Sequence, residues 1–142
     1  MGKVMTHLKL TNDADAQYAQ RGLIQPSEVR RATVEALVDT GATMLVLPED
    51  LVAALGLPHR PNPRRTKLAD GTVIAIPWVG GVLIEILGRE MTCDALVMPA
   101  GSTPLIGQIP LEAFHLIIDP KTGDLAFDPE NPEGIDEILA VA

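Results

Sequence analysis

Val29-Arg30-Arg31-Ala32-Thr33-Val34-Glu35-Ala36-Leu37-Val38-Asp39-Thr40-Gly41-Ala42-Thr43-Met44-Leu45-Val46-Leu47 is the stretch from which the rest of the chain can be read. Its opening half mixes charged and apolar side chains with a period near two, so Val29 to Val38 is predicted to be a strand with one buried face. The strand runs into Asp39-Thr40-Gly41, a short polar turn, and Met44 to Leu47 is a further apolar run. One strand therefore delivers a carboxylate into a tight turn and another leads away from it. The apolar run pins the backbone, which holds the Asp39 carboxylate in place rather than on a mobile loop. Gly41 lets the chain fold tightly enough for its N–H to approach that carboxylate, and Thr40 carries a hydroxyl able to brace the turn.

Outward from this segment the signals alternate between short strands and tight turns. Lys3 to Leu10 alternates loosely and is expected to be a first strand, followed by a loop or irregular turn over Thr11 to Gln25. After the second apolar run, Pro48-Glu49-Asp50 opens a helix, because Pro suits the first helical position and acids its positive end, and Gly56 and Pro58 close it. His59 to Arg65 is rich in Pro and Arg and is expected to be an exposed connection. Thr66 to Ala69 and Thr72 to Trp78 flank Asp70-Gly71, the dipeptide favoured in two-residue hairpin turns. Val82 to Leu87 and Glu90 to Val97 flank Gly88-Arg89, where Gly at the first central position fits the other two-residue turn type, and Gly80-Gly81 is read as a turn between strands. His115 to Asp119 and Asp124 to Phe127 form a third hairpin around Pro120-Lys121-Thr122-Gly123. Pro110 to Phe114 is a short helix candidate, and Glu130 to Ala142 an acidic tail with Pro132 that ends in a helical turn. Short strands joined by tight turns, with one or two brief helices, predict an all-β barrel or sandwich.

The chain has 142 residues, about one average domain, and its 46% apolar content is that of an ordinary globular protein. Aromatics are only 3% of it, so Val, Ile and Leu must fill the core, which suits strands. No repeat or break in composition divides it; residues 1–128 are read as one domain and 129–142 as the acidic tail. The net charge of -8 argues against nucleic acid and anionic membrane surfaces as partners. A single cysteine, Cys93, excludes an intramolecular disulfide and a cysteine metal cluster. Its apolar setting is that of a buried, inert thiol. His7, His59 and His115 lie far apart with no ligand spacing, so neither metal nor cofactor is expected. The opening residues lack the long apolar stretch of a signal peptide, and a cytoplasmic location is the expectation. Trp78 is read as a core or edge anchor and the pairs Arg30-Arg31 and Arg64-Arg65 as solvated. Ser27 and Ser102, the only serines, lie in no nucleophile turn.

Asp-Thr-Gly alone would occur by chance in roughly 1 in 30 chains of this size, and as a bare tripeptide it reads as an ordinary turn. Three ordered signatures change that. Ala36 to Leu47 resembles the catalytic segment of retroviral-type, or retropepsin-like, aspartic peptidases, in which an apolar pair precedes Asp-Thr-Gly-Ala. Val82-Leu83-Ile84-Glu85-Ile86-Leu87-Gly88-Arg89 resembles the strand and turn that follow the flap of that family. Pro104-Leu105-Ile106-Gly107 resembles its second signature, two apolar residues and a glycine leading into a short helix. The resemblance spans about Val29 to Phe127 and is that of a bacterial-like, single-domain member.

The resemblance implies an all-β fold, a small closed barrel of retropepsin type with one or two short helices, working as a dimer. It implies that Asp39, Thr40 and Gly41 are catalytic, with Thr40 bonding across a two-fold axis. Ala42 and the flap tip Ala69, Asp70 and Gly71 would meet the substrate, a peptide or protein, and Leu105, Ile106 and Gly107 would pack behind the catalytic loop. The flap departs from the viral enzymes, since Ala69-Asp70-Gly71-Thr72 replaces a glycine-rich tip. The helix after Pro48 also lengthens the chain. Such chemistry needs two carboxylates sharing one proton, and the chain offers one Asp-Thr-Gly, so a homodimer must supply the second. The family's dimers interleave chain ends in a sheet, for which Lys3 to Leu10 and Asp124 to Phe127 are candidates. The reading from a different class is a catalytically silent, dimeric peptide-binding module on the same fold.

Overall fold

A computed structural model describes residues 2–138. Its centre is a closed six-stranded barrel with strand order β1-β2-β8-β3-β7-β6. These strands are β1 (Met5–Asn12), β2 (Arg31–Val38), β3 (Leu45–Pro48), β6 (Trp78–Ile86), β7 (Arg89–Met98) and β8 (Leu105–Ile106). The period-two pattern explains the closure. Leu8 and Leu10 of β1, Ala36 and Val38 of β2, and Val82, Ile84 and Ile86 of β6 all point inward and are buried. Two small antiparallel sheets flank the barrel, β4 (Arg64–Lys67) with β5 (Val73–Ile76), and β9 (Leu116–Ile118) with β10 (Leu125–Phe127).

Strand β3 is buried along its whole length. Leu45 and Leu47 face the barrel interior, whereas Val46 faces outward into a second cluster with Ile76 and Leu96. Met44, Ile74, Trp78, Met98 and Leu105 pack partly buried around that cluster. The β4–β5 hairpin therefore rests on the outer face of the strand that leaves the Asp39 turn.

Helix α2 (Glu49–Leu55) follows β3 as expected. Pro48 is its N-cap rather than its first residue, and Gly56 closes it in the left-handed region at φ 64. The Leu57 N–H donates to Val52 O and the Gly56 N–H to Ala53 O, a Schellman closure with Val52 and Leu57 both buried. The second short helix, α3 (Gln108–Ala113), starts two residues before the predicted Pro110.

Several expectations are corrected. The stretch read as a loop from Thr11 holds the end of β1, helix α1 (Asp13–Gln20) and, after it, a 3-10 turn at Pro26–Glu28. Asn12 caps α1, its Oδ1 accepting from the Asp15 N–H at 3.0 Å while its Nδ2 donates to Leu55 O at 2.8 Å. Gly80-Gly81 is not a turn: β6 runs through it, and the register shifts between Val79 and Val82 as a bulge, with Gly81 at φ 73. The turn between β6 and β7 is Leu87-Gly88, both at positive φ (51 and 83), rather than Gly88-Arg89. That pairing of two left-handed residues matches the right-handed twist of the strands. Arg30 is not free in solvent but ion-paired with Asp15.

The C-terminal hairpin is as expected, closed by the Asp119 N–H on Asp124 O at 2.8 Å. The chain beyond it is tied back. Arg89 donates to Phe114 O and to Pro132 O, and His115 Nε2 meets Asp136 Oδ1 at 2.9 Å. No helical turn forms over residues 130–138, and the remainder of that expectation lies outside the described residues. Among the described residues no helix is long and apolar enough to cross a membrane.

Candidate active site

Asp39 stands where β2 leaves the barrel, and the strand is held on both edges there. The Leu37 N–H donates to Pro104 O at 2.9 Å, Val38 N–H to Val4 O at 2.8 Å, and Asp39 N–H to Ile106 O at 3.0 Å. Strand β8 makes this possible by lying between β2 and β3, parallel to β2 and antiparallel to β3. The chain then turns, with the Ala42 N–H on Asp39 O at 3.1 Å and the Gly41 N–H on Asp39 Oδ1 at 2.9 Å. The carboxylate is thus oriented by the backbone of its own turn.

The close approach expected of Gly41 is the one seen, its N–H on the Asp39 carboxylate. The φ of Gly41 is not positive; a Cβ there would lie 3.2 Å from Asp39 Oδ1 and push on the carboxylate. Thr40 is exposed, and its hydroxyl makes no hydrogen bond among the described residues. Ala42 is half-buried, and its carbonyl accepts from the Gln108 N–H at 2.8 Å. Thr43 O accepts from the Ile109 N–H at 2.9 Å, so α3 spends its unpaired first donors on the loop that carries Asp39. Between them sits Gly107, where a Cβ would lie 2.7 Å from both Ala42 O and Met44 N and closer still to Met44 O. Leu105, Ile106 and Gly107 do pack behind the loop, and Gly107 is the member that nothing larger can replace.

Among the described residues the Ala69-Asp70-Gly71 tip shares no hydrogen bond with this loop. The loop there has three residues, Ala69-Asp70-Gly71, not two: Leu68 N–H pairs with Thr72 O at 2.8 Å and Gly71 N–H with Leu68 O at 2.9 Å. Gly71 takes the left-handed position at φ 88 that such loops require. Ala69, Asp70 and Gly71 are all exposed. The Thr72 N–H, 2.8 Å from Asp70 Oδ1, and then the Thr72 hydroxyl hold the Asp70 carboxyl below its ordinary range. The flap tip therefore carries a negative charge near neutral pH. What joins this hairpin to the Asp39 loop is the apolar cluster at the hairpin's base, Ile74 and Ile76 against Met44, Val46 and Leu105.

Asp39 lines neither of two grooves formed by the described residues. One runs over the barrel wall beside Lys9, Arg31 and Glu90. The other is lined by Met44, Leu45, Arg64, Cys93, Asp94, Ile109 and Pro110. Burial, helped by the nearby Asp94 charge, pushes the Cys93 thiol up to about 12, so it is protonated and unreactive near neutral pH. Among the described residues no group of three or more His, Cys, Asp or Glu side chains is arranged to hold a metal ion. Sequence reasoning missed Arg60 and Arg64 beside Trp78. Their guanidinium carbons lie 5.6 and 5.5 Å from the centroid of that ring. The Pro- and Arg-rich composition of that connection was the available signal.

The family model described as gag-polyprotein putative aspartyl protease matches residues 26–113. The matched span opens at the 3-10 turn and ends with α3, so it holds the Asp39 loop, the flap and Gly107, and leaves out β1, β9 and β10. No curated protein matches the chain.

Proposed function

The chain belongs to the retropepsin-like aspartyl protease family, and from that premise we propose that it is an aspartic endopeptidase whose catalytic pair is Asp39 from each of two identical subunits. The observation that carries this reading is the hold on Asp39. The carboxylate sits at the end of a strand fixed on both edges, oriented by the Gly41 N–H and backed by Gly107. That is how a group is preorganised for chemistry.

Two such carboxylates beside a two-fold axis cannot both ionise and so share one proton. The ionised one takes a proton from a water, and the oxygen of that water bonds to the scissile carbonyl carbon. The protonated one gives its proton to the carbonyl oxygen. Collapse of the tetrahedral species returns a proton to the leaving nitrogen as the C–N bond breaks. Thr40, exposed and without a partner for its hydroxyl among the described residues, is assigned to bracing the paired loops across the axis. Ala42 and the flap tip, Ala69, Asp70 and Gly71, are assigned to substrate.

A subunit sheet is required to hold the pair. Both edges of β1 are occupied between Lys9 and Thr11, by β2 and β6. The N-terminal strand has a free edge only before Lys9, whereas among the described residues β9 and β10 pair only with each other. We assign the inter-subunit sheet to that hairpin, residues 1–128 to the peptidase domain, and 129–142 to an acidic tail. A single, partly buried cysteine suits a reducing, cytoplasmic setting.

The test is digestion of a mixed peptide library at several pH values by the wild type and by Asp39→Asn. Loss of cleavage by at least about 100-fold in a variant with unchanged thermal unfolding is expected. Peptide binding without cleavage by either protein would replace the enzyme with a silent binding module.

A further inference from the structure

The connection before the flap and the flap's first strand, β4, carry Arg60, Arg64, Arg65 and Lys67 within a chain of net charge -8. None of these four cations forms an ion pair among the described residues. Two of them are held in place. Arg60 and Arg64 both lie over the ring of Trp78, the one tryptophan of the chain. The Trp78 Nε1–H donates to Asn62 O, which fixes the loop between the two arginines. The Arg60 N–H donates to Trp78 O at 3.0 Å, and its side chain lies against the backbone of Gly80. A Cβ on Gly80 would come within 2.6 Å of Arg60 Nε, so glycine there makes room for the guanidinium. Stacking on an indole restrains a guanidinium without neutralising it. Arg64 also lines the groove of about 280 Å³ with Met44, Ile109 and Pro110, and the Ile109 N–H is bonded to the loop that carries Asp39. Asp94 lines the same groove but pairs with neither arginine.

We propose that Arg60 and Arg64, stacked on Trp78, form a clamp for a carboxylate side chain of the peptide substrate, giving the protein a preference for acidic peptides. The proposal rests on the peptidase reading and adds its specificity. Two preorganised, unpaired guanidiniums favour a planar, bidentate acceptor, which a Glu or Asp side chain supplies and its amide does not. The clamp sits at the root of the flap, away from Ala69-Asp70-Gly71. The acidic residue therefore stands well to one side of the scissile bond.

The experiment uses Asp39→Asn, so that peptides bind without turnover. Fluorescein-labelled peptides carrying one Glu, walked along the sequence, are compared with their Gln isosteres by anisotropy, with Trp78 emission as a second signal. At one or two positions the Glu peptide is expected to bind at least about tenfold more tightly. Its binding should change Trp78 emission and weaken steeply with salt. Arg60→Gln/Arg64→Gln in the same background should bring the Glu-to-Gln ratio near one, with the fold checked by urea unfolding. Arg64→Lys should recover only part of it. Equal affinity for Glu and Gln peptides at every position, or a ratio untouched by the double variant, would overturn the clamp. Cleavage by the wild type without Glu preference would leave the peptidase reading standing and remove this one. Glu-selective binding with no cleavage would do the reverse.

Discussion

A methyl group on residue 107 would press on Ala42 O, Met44 N and Met44 O at once, all of them backbone atoms of the loop that holds Asp39. Backbone cannot turn aside as a side-chain tip can. Residue 107 has φ -89, which alanine adopts freely, so any loss on substitution is steric rather than conformational. Gly107→Ala is expected to cost about 1–3 kcal/mol, read as a lower urea midpoint with unchanged slope. Cleavage should fall further than the lost stability explains, because misplacing a reacting group by about 1 Å can cost about 100-fold. Gly2→Ala, where a Cβ meets nothing within 4 Å, is the matching control. The importance of residue 107 could be read from Leu105-Ile106-Gly107 as a signature. Its cause could not, since the atoms that exclude a side chain lie more than sixty residues earlier in the chain.

Elements whose signals are local were legible, and those fixed by distant partners were not. The strand into Asp39, helix α2 with its Gly56 stop and the C-terminal hairpin all follow from neighbouring residues. Helix α1 did not show, because Asp13 to Gln20 is polar and only Asp15 of it is buried. Contacts far along the chain fasten it. Asp15 Oδ2 accepts from Arg30 Nε at 2.8 Å and from the Arg30 N–H at 3.1 Å, and Oδ1 accepts from Nη2 at 3.0 Å. The Gly-Gly pair misled for the same reason: it serves the bulge and the Arg60 side chain, not a turn. The Arg30 hydrogen bond, opposed by burial, holds the Asp15 carboxyl below its ordinary range. A depressed folded-state value means that the carboxylate stabilises the fold above the unfolded value. That stability is lost as pH falls through the folded one. Asp15→Asn is therefore expected to lower the melting temperature near pH 7. The gap to wild type should close as pH drops below about 4, where the unfolded carboxyl takes up its proton. A gap that stays constant from pH 7 to pH 2 would mean that packing, not the charge, fastens α1.

For the whole molecule the open question is how many chains make one site. Asp39 lines neither of the two grooves described above, and β1, α1 and the β9–β10 hairpin lie outside the span shared with the family. The barrel is closed by β1 pairing with β6 from Lys9 to Asn12, whereas among the described residues the outer edges of the C-terminal hairpin are unpaired. If each site takes one Asp39 from each of two chains, mixing wild type with Asp39→Asn poisons the enzyme. In an equimolar, fully exchanged mixture, half of the partners met by any wild-type chain are inactive. Activity per wild-type chain should then fall to about half, and it should keep falling as the variant is added in excess. The variant keeps the fold and the hairpin and so competes for partners on equal terms. Sedimentation over the same concentrations should show a two-fold increase over the 15.2 kDa chain. Activity per wild-type chain that ignores the added variant, with the sedimenting species at the mass of one chain, would mean that a single Asp39 works alone. The shared-proton mechanism would then be wrong.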